Sequence, residues 1–290
     1  MKKYTILIPI YNDRESLTKL IENINEELNG VNAEVSILVI NDASSQQIVD
    51  TYPNLENIHS FEIINMKQNR GHARCIASGL KYIYEKKEFD YVIPMDGDGE
   101  DRPEEIKLLI KEALRDEKTS VVAKRIKRSE GFLFQSLYQL HKLTTIIFTG
   151  KNINFGNYSC LTKNDVKFLS DKESLWSSFS GSLKKHLLNF NSVNSIRGLR
   201  YFGPSKMSFI KLALHSLSLI AVFKTNVFIR SAILIILLSY LSVFSDILII
   251  STQILLTIFN LLIFIVSLRE NKKNFENADL NHQDTANITH

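Results

Sequence analysis

The chain has 290 residues, enough for one large domain and something more, with 35 Lys and Arg against 31 Asp and Glu. A net charge of +4 is too small to point to nucleic acid, and two cysteines, Cys75 and Cys160, supply neither a metal spacing nor a disulfide framework, which suits a reducing compartment. A mean hydropathy of −0.04 hides a split: residues 1–205 are mixed and charged, whereas residues 231–268 carry a single charge, Asp246.

Tyr4–Ile10 is a β-rich run with Pro9 near its end. It stops at Asn12-Asp13 with no small-residue cleavage site after it, so it reads as a strand rather than a signal peptide. Leu17, Leu20, Ile21, Ile24 and Leu28 then recur at helical spacing until Asn29-Gly30. Val35–Ile40 and His59–Asn65 read as the second and third strands, with a helix from Asn69-Arg70-Gly71-His72 to about Lys87. Tyr91–Met95 is a fourth strand, Pro103–Lys118 a helix, and Ser120–Ala123 a fifth strand followed by the basic run 124–128. Strands alternating with helices predict an α/β fold with a mostly parallel sheet flanked by helices, in which ligands bind beyond the carboxyl ends of the strands. Asn12-Asp13, Asp42, Asn69–Gly71 and Asp96–Glu100 all fall at those ends.

The most informative stretch is Asp96-Gly-Asp98-Gly-Glu100-Asp101. Alternate spacing on an extended segment predicts that Asp96, Asp98 and Glu100 face one side, with the glycines leaving the approach open and Asp101 capping the helix at Pro103. Three crowded carboxylates repel one another unless a cation sits among them, and hard oxygen donors suit Mg²⁺ or Mn²⁺. The plain alternative is an acidic turn between strand and helix. His72, His141, His186 and His215 lack partners at ligand spacing and read as structural or surface residues.

Residues 131–148 form a largely apolar helix, either in the core or on a bilayer surface. Asn154–Leu161 reads as a turn and strand, Leu175–Phe190 as a helix with the only tryptophan, Trp176, and Val193–Phe202 as a strand carrying Arg197 and Arg200. Residues 207–226 form an interfacial amphipathic helix. Residues 227–268 are long enough for two transmembrane helices with a turn near Ser245-Asp246, since one crossing needs about 20 residues. Lys224 and Arg230 before the hairpin, and Arg269, Lys272 and Lys273 after it, place both ends, the termini and the catalytic-looking domain of residues 1–206 on the cytoplasmic face of a multi-pass membrane protein. The polar tail, residues 269–290, is expected to be disordered.

Taken together, the motifs resemble the family-2 glycosyltransferases of the glycosyltransferase-A fold, and within them the polyprenyl-phosphate branch that includes dolichol-phosphate mannose synthases. Ile8-Pro9-Ile10-Tyr11-Asn12-Asp13 is similar to the family's opening nucleotide-holding motif, with Asp13 where Glu is usual. Asn41-Asp42-Ala43-Ser44 resembles Asp-Asp-Gly-Ser, so a contact with base or ribose falls on Asp42. Asn69-Arg70-Gly71 resembles the Asn-x-Gly helix start, and Asp96–Glu104 resembles the segment in which Asp96 and Asp98 are metal-site acids, joined here by Glu100 in place of Gln. Arg197–Lys206 resembles Arg-x-x-Arg-x-x-Gly-Glu-Ser-Lys, placed by the family near the acceptor phosphate. Asn154–Ser159 departs from the branch's usual segment, and the Gln-x-x-Arg-Trp motif of processive synthases is missing.

The resemblance implies a metal-dependent, inverting, non-processive glycosyltransferase that moves one sugar from a nucleotide-diphosphate sugar to a polyprenyl phosphate or related lipid. Pro9, Tyr11, Asn12, Asp13, Asp42, Asn69, Gly71, Asp96 and Arg125 would bind the donor. Arg128, Arg197, Arg200, Ser205 and Lys206 would bind the acceptor phosphate. Asp98, Asp101 and Arg200 would act in catalysis, and Asp96, Asp98 and Glu100 would hold Mg²⁺ or Mn²⁺. A lipid phosphate is ionised at pH 7 and needs no strong base. A hydroxyl on a lipid-linked saccharide would require one, such as Asp101. A silent membrane scaffold of the same fold is the third reading. A homo-oligomer is left open.

Overall fold

The computed structural model describes residues 1–46, 52, 55–127, 132–204, 208–241 and 246–288. Arg128, Ser205, Lys206 and the hairpin turn at Ser245 lie outside the described residues.

The strands are β1 (Lys2–Ile10), β2 (Ala33–Asn41), β3 (Ser60–Met66), β4 (Tyr91–Pro94), β5 (Val121–Lys127), β6 (Phe155–Thr162), β7 (Asn191–Ile196) and β8 (His282–Ile288). They form one sheet in the order β7-β5-β6-β4-β1-β2-β3-β8. Strand β1 lies parallel to β2 and β4, β2 to β3, and β5 to β7, while β6 and β8 run antiparallel to their neighbours. Pro9 is tolerated in a central strand because pairing with β4 ends at Leu7↔Pro94, so its missing N–H falls beyond that ladder.

Period-two burial divides the strands between two layers. Ile6, Ile8, Ile37, Val39 and Ile93 pack under α1 (Arg14–Glu27) and α3 (Ile106–Arg115) through Leu17, Leu20, Ile21, Ile24, Ile106 and Leu109. Leu7, Leu38, Ile40 and Val92 face the opposite layer, α2 (His72–Lys86), α5 (Lys163–Leu169) and α6 (Phe179–His186). Each fully buried Leu or Ile here contributes about 1.5–3 kcal/mol over its exposed state. Cys75 and Cys160 are free and buried.

Three expectations need correction. The helix expected over Leu175–Phe190 is a 3-10 turn, Glu173–Trp176, followed by the shorter α6, with the Ser178 side chain capping α6. Strand β7 ends at Ile196, so Arg197 and Arg200 sit in a following loop rather than on a strand. The described part of the tail is ordered: α10 (Lys272–Glu276), a 3-10 turn (Ala278–Asn281) and β8 bring it back to the sheet, where β8 covers the edge of β3 with Phe61 opposite Ile288.

Helix α4 (Phe132–Thr149) joins α7 (Phe209–Ala221), α8 (Lys224–Leu241) and α9 (Asp246–Ser267) in a separate apolar cluster. The carbonyls at the end of α4 are closed by α8: Asn226 Nδ2 donates to Thr149 O at 3.1 Å and Arg230 Nη1 to Ile147 O at 3.1 Å, a cation at a helix C-terminus. Helices α8 and α9 form an antiparallel pair, joined by Gln253 Nε2 to Ser239 Oγ at one end and Lys224 Nζ to Glu270 Oε2 at the other. Leu140, Leu143, Ile233, Ile236, Leu255 and Leu262 are among the apolar side chains left exposed. Among the described residues, one helix beginning at Ile247 is long and apolar enough to cross a membrane. Helix α7 together with Lys224–Tyr240 qualifies only as a pair bent by 85°.

Candidate active site

The carboxyl ends of β1, β2, β3 and β4 carry the polar loops to one rim. After β1, Asn12 turns through φ 49°, a left-handed conformation that Asn tolerates. Its Oδ1 accepts from Ser45 N at 2.8 Å and its N–H donates to Ser44 Oγ at 2.8 Å, which ties the first loop to the second. Tyr11 is exposed on this rim. After β2, Ala43 has φ 56°, where a β-carbon is strained.

Asp42 faces inward. Its Oδ1 accepts from Arg70 N at 2.7 Å and its Oδ2 from Gly71 N at 2.9 Å, while Asn69 Nδ2 reaches Asp42 O at 3.3 Å. Burial raises its pKa, and the two backbone N–H groups work against that rise. Asp42 is 3% exposed. In this arrangement it holds the Asn69–Gly71 loop against the end of β2.

The acidic stretch is a turn rather than an extended segment, centred on Gly97-Asp98 with Gly99 at φ 88°, so its carboxylates separate. Asp96 Oδ1 lies 3.2 Å from His72 Nε2 and 3.0 Å from Asn157 Nδ2. Asp98 Oδ2 lies 2.6 Å from Arg200 Nη1, and Arg200 also pairs with Asp13. Glu100 pairs with Arg197. The positive charge demanded by the crowded acids is thus partly supplied by the chain itself. Asp101 does not cap the following helix: Arg102 holds the cap position, and Asp101 Oδ2 instead accepts from Asp96 N at 2.9 Å. Asp101 Oδ1 is 3.7 Å from Arg125, whose guanidinium lies against Gly156.

The glycines serve close packing, not ligand access. A β-carbon on Gly97 would stand 3.0 Å from Ile10 and 3.1 Å from Pro9 O, one on Gly99 2.6 Å from the Tyr201 ring, and one on Gly198 2.9 Å from Gly99 O. Residues 198–201 therefore lie directly on the acidic turn, with Gly198 N bonded to Glu100 O at 2.8 Å and Tyr201 N to Asp98 O at 3.0 Å. Asn23 Nδ2 donates to the Tyr201 hydroxyl at 2.8 Å.

Electrostatics sort the acids. Burial opposes the charged form of Asp96, but the His72 hydrogen bond and the charges of His72, Arg125 and Arg197 outweigh it and hold the pKa well below the carboxylate range. Burial, then Asp96 and Glu100, push Asp98 up to about 6, and burial followed by Asp96 pushes Asp101 up to about 7. Burial opposes protonation of His72, yet Asp96, Asp98 and Asp101 leave its pKa raised. Asp96 and Asp98 have the hard oxygen donors that fit Mg²⁺ or Mn²⁺. However, among the described residues no three His, Cys, Asp or Glu side chains converge on one point, and the expected convergence with Glu100 is not formed.

The sequence reading missed His72 and Asn157, whose partners lie 24 and 61 positions away along the chain. The position of His72, at the helix start that follows a rim loop, was the available signal.

Comparison with known proteins agrees with this architecture. The family model described as glycosyl transferase family 2 matches residues 5–179, more than half of the chain. The undecaprenyl-phosphate 4-deoxy-4-formamido-L-arabinose transferase of Proteus mirabilis (strain HI4320) is 23% identical over 222 residues, 73% of this chain, and the chain spans 65% of that relative's length. Two solved structures share the fold. Mannosyl-3-phosphoglycerate synthase from Rubrobacter xylanophilus has a TM-score of 0.52 at 12% identity, covering 76% of this chain and 72% of its own. Glucosyl-3-phosphoglycerate synthase from Mycobacterium tuberculosis, in complex with Mn²⁺, UDP-glucose and phosphoglyceric acid, has a TM-score of 0.51 at 14% identity, covering 78% and 80%. With its mixed, mostly parallel sheet, its polar rim and its family-model match, this chain belongs to glycosyl transferase family 2.

Proposed function

We propose that the protein transfers one sugar, with inversion at the anomeric carbon, from a nucleotide-diphosphate sugar to the phosphate of a polyprenyl or related membrane lipid. The observation that carries this reading is the meeting of Arg197 and Arg200 with Asp13, Asp98 and Glu100 at the rim. The arginines stand only a few residues ahead of α7 and the apolar helices. Two guanidinium groups, able to bind a phosphate, would therefore sit between the donor side of the rim and the apolar helices. The undecaprenyl-phosphate transferase similarity points the same way.

Pro9, Tyr11, Asn12, Asp13, Asn69 and Gly71 would line the nucleotide side, with Asp42 bracing them. Arg125 and Arg200 would meet the diphosphate, and Arg197 and Arg200, with Arg128, Ser205 and Lys206, the acceptor phosphate. A divalent cation held by Asp96 and Asp98, beside Glu100, would add positive charge at the leaving diphosphate. Asp101 is 4% exposed and holds the acidic turn. A carboxylate so placed is poorly available to an acceptor hydroxyl, which favours an acceptor that is already ionised.

The reading also makes α8 and α9 a membrane hairpin with the catalytic domain and both termini on the cytoplasmic side. The return of β8 to β3 supports it, because the chain must leave the apolar region on the side where it entered. At 1.5 Å per residue α9 is about 33 Å long, close to a hydrocarbon core, whereas α8 is long and apolar enough to cross only together with α7.

The test is incubation of membranes holding the protein with labelled nucleotide sugars and a polyprenyl phosphate, with and without EDTA. A labelled, acid-labile lipid phosphodiester that disappears with EDTA and with Asp98→Ala is expected. Sugar appearing instead on a lipid-linked saccharide would replace this reading, and no transfer from any donor would favour a scaffold. Reporters after residues 224 and 290 should both be cytoplasmic, and opposite locations would refute the hairpin.

A further inference from the structure

The tail that re-enters the sheet does more than cover an edge, because its contacts converge on the loop between β3 and α2. Lys67 N donates to Asn281 O at 2.7 Å, Lys67 Nζ to Leu280 O at 2.8 Å, and Asn281 Nδ2 to Gln68 O at 3.3 Å. One step back, Asp284 Oδ1 accepts from Asn65 Nδ2 at 2.6 Å, and Asn65 Oδ1 accepts from Asn41 Nδ2 at 2.7 Å, beside Asp42. On the helix side, His282 Nε2 lies 2.8 Å from Ser78 Oγ, and Phe275 packs on Trp176 at 5.9 Å between ring centroids. The far end of the same loop, Arg70 and Gly71, supplies both N–H groups that bind the Asp42 carboxylate. Asn281 is buried although polar, so its amide is a structural anchor rather than a surface group.

We infer that residues 271–288 are a positioning element for nucleotide binding, with Asn281 and Asp284 holding the 65–71 loop in the shape that the donor pocket requires. This rests on the donor-binding reading above. A loop bridging two elements opens less readily the more of its length is bonded to ordered neighbours. Here Asp42 fixes one end and the tail fixes the middle and the other end. The tail follows α9 directly, so the anchor that leaves the membrane region is the same segment that shapes the pocket.

The experiment uses the full chain in detergent or nanodiscs, Asn281→Ala, Asp284→Ala, the two combined, a truncation after residue 270, and Gln283→Ala on the exposed face of β8 as control. Two readouts are taken: hydrogen exchange at residues 66–71, and the Kd for UDP and for GDP, each with Mg²⁺. Faster exchange at 66–71 with a Kd raised about fivefold per lost hydrogen bond is expected for Asn281→Ala and Asp284→Ala. KM for the donor should rise, kcat should be little changed, and Gln283→Ala should match the parent. Unchanged protection of 66–71 in both point variants and the truncation overturns the inference. So does increased exchange with unchanged Kd in a parent chain that binds UDP or GDP. If the parent binds no nucleotide, the donor reading fails, while the exchange data still decide whether the tail holds the loop. Should the truncation fail to fold, the two point variants carry the test.

Discussion

Arg200 Nη1 stands 2.6 Å from Asp98 Oδ2 while the same guanidinium pairs with Asp13, so one cation joins the loop after β1 to the turn after β4. The three side chains are 16%, 19% and 9% exposed, which keeps water from screening them fully. Removing the arginine leaves two carboxylates facing each other. Arg200→Ala is expected to cost about 1–3 kcal/mol, less than the ~3–5 of a fully buried pair. A double-mutant cycle with Asp13→Ala, followed by thermal melting, should return a coupling of about 0.5–3 kcal/mol. Strict additivity would show that the contact is not formed in solution. Arg200→Lys should restore little, because one ammonium does not reproduce a fork that meets two acids.

The strain at Ala43 gives a prediction of opposite sign. An L-residue in the left-handed region costs roughly 1–2 kcal/mol, and glycine avoids that at some expense in unfolded-state entropy. Ala43→Gly should therefore leave the protein as stable or raise stability by up to about 1 kcal/mol, with the contacts of Asn12 and Ser44 preserved. A loss of more than that in a melting experiment would mean that the Ala43 methyl makes a packing contact outweighing the strain.

His282 makes the tail sensitive to acid. Its ring meets Ser78 and Tyr82. Burial lowers its pKa, Asp279 works against that, and Lys67 adds to it. A histidine whose folded pKa lies below its unfolded value contributes stability that is fully present above about pH 6.5 and is lost as pH falls through that value toward the folded pKa. Intrinsic base-catalysed exchange slows as pH falls, so the protection factor of the β8 amides, the observed rate set against that intrinsic rate, should drop between pH 7.5 and 5.5. His282→Gln should flatten the dependence, and an unaltered profile in that variant would assign the effect elsewhere.

The edge of β3 also bears on truncation. A chain ending at residue 224 loses the membrane hairpin and the strand that covers Phe61 and Ile63. An uncovered edge invites pairing between molecules. Such a chain is expected to self-associate, and a peptide spanning residues 271–290 supplied in trans should reduce the association seen by light scattering. A monomer without the peptide would show that β3 needs no cover.

Much of this was legible locally. The apolar runs of β1, β2 and β4, the helical spacing from Leu17 to Ile24 and the rim loops follow from short-range pattern, and they placed the polar groups correctly. What was not legible depends on distant partners. Residues 282–288 are polar with little apolar alternation, and only the edge of β3, more than 200 residues earlier, makes them a strand. The regular spacing of Asp96, Asp98 and Glu100 suggested an extended segment. Gly99, at positive φ, instead breaks it into a turn whose acids meet His72, Arg200 and Arg197 separately.

The last prediction concerns how Arg197 and Arg200 are delivered to the acids. Gly99 has φ 88°, and a β-carbon there would lie 2.6 Å from the Tyr201 ring. Gly99→Ala therefore combines backbone strain with a clash against the residue next to Arg200. Neither effect touches a charged group, so any change in the ion pairs would act through position. Stability should fall by about 1–3 kcal/mol, and transfer should fall in the same kinetic pattern as in Arg200→Ala, since both displace the guanidinium from Asp98. Tyr201→Phe removes only the bond from Asn23, worth about 1 kcal/mol, and should leave the pattern near that of the parent. Combining Gly99→Ala with Tyr201→Ala removes the ring that the β-carbon would strike but keeps the φ strain. The double variant should then lose less than the two single variants summed. Additive losses would show that the ring moves aside without cost and that residues 198–201 are not seated on the acidic turn. A Gly99→Ala protein with the parent's kinetics but lower stability would show that the turn is packed as described while Arg200 reaches Asp98 independently of it.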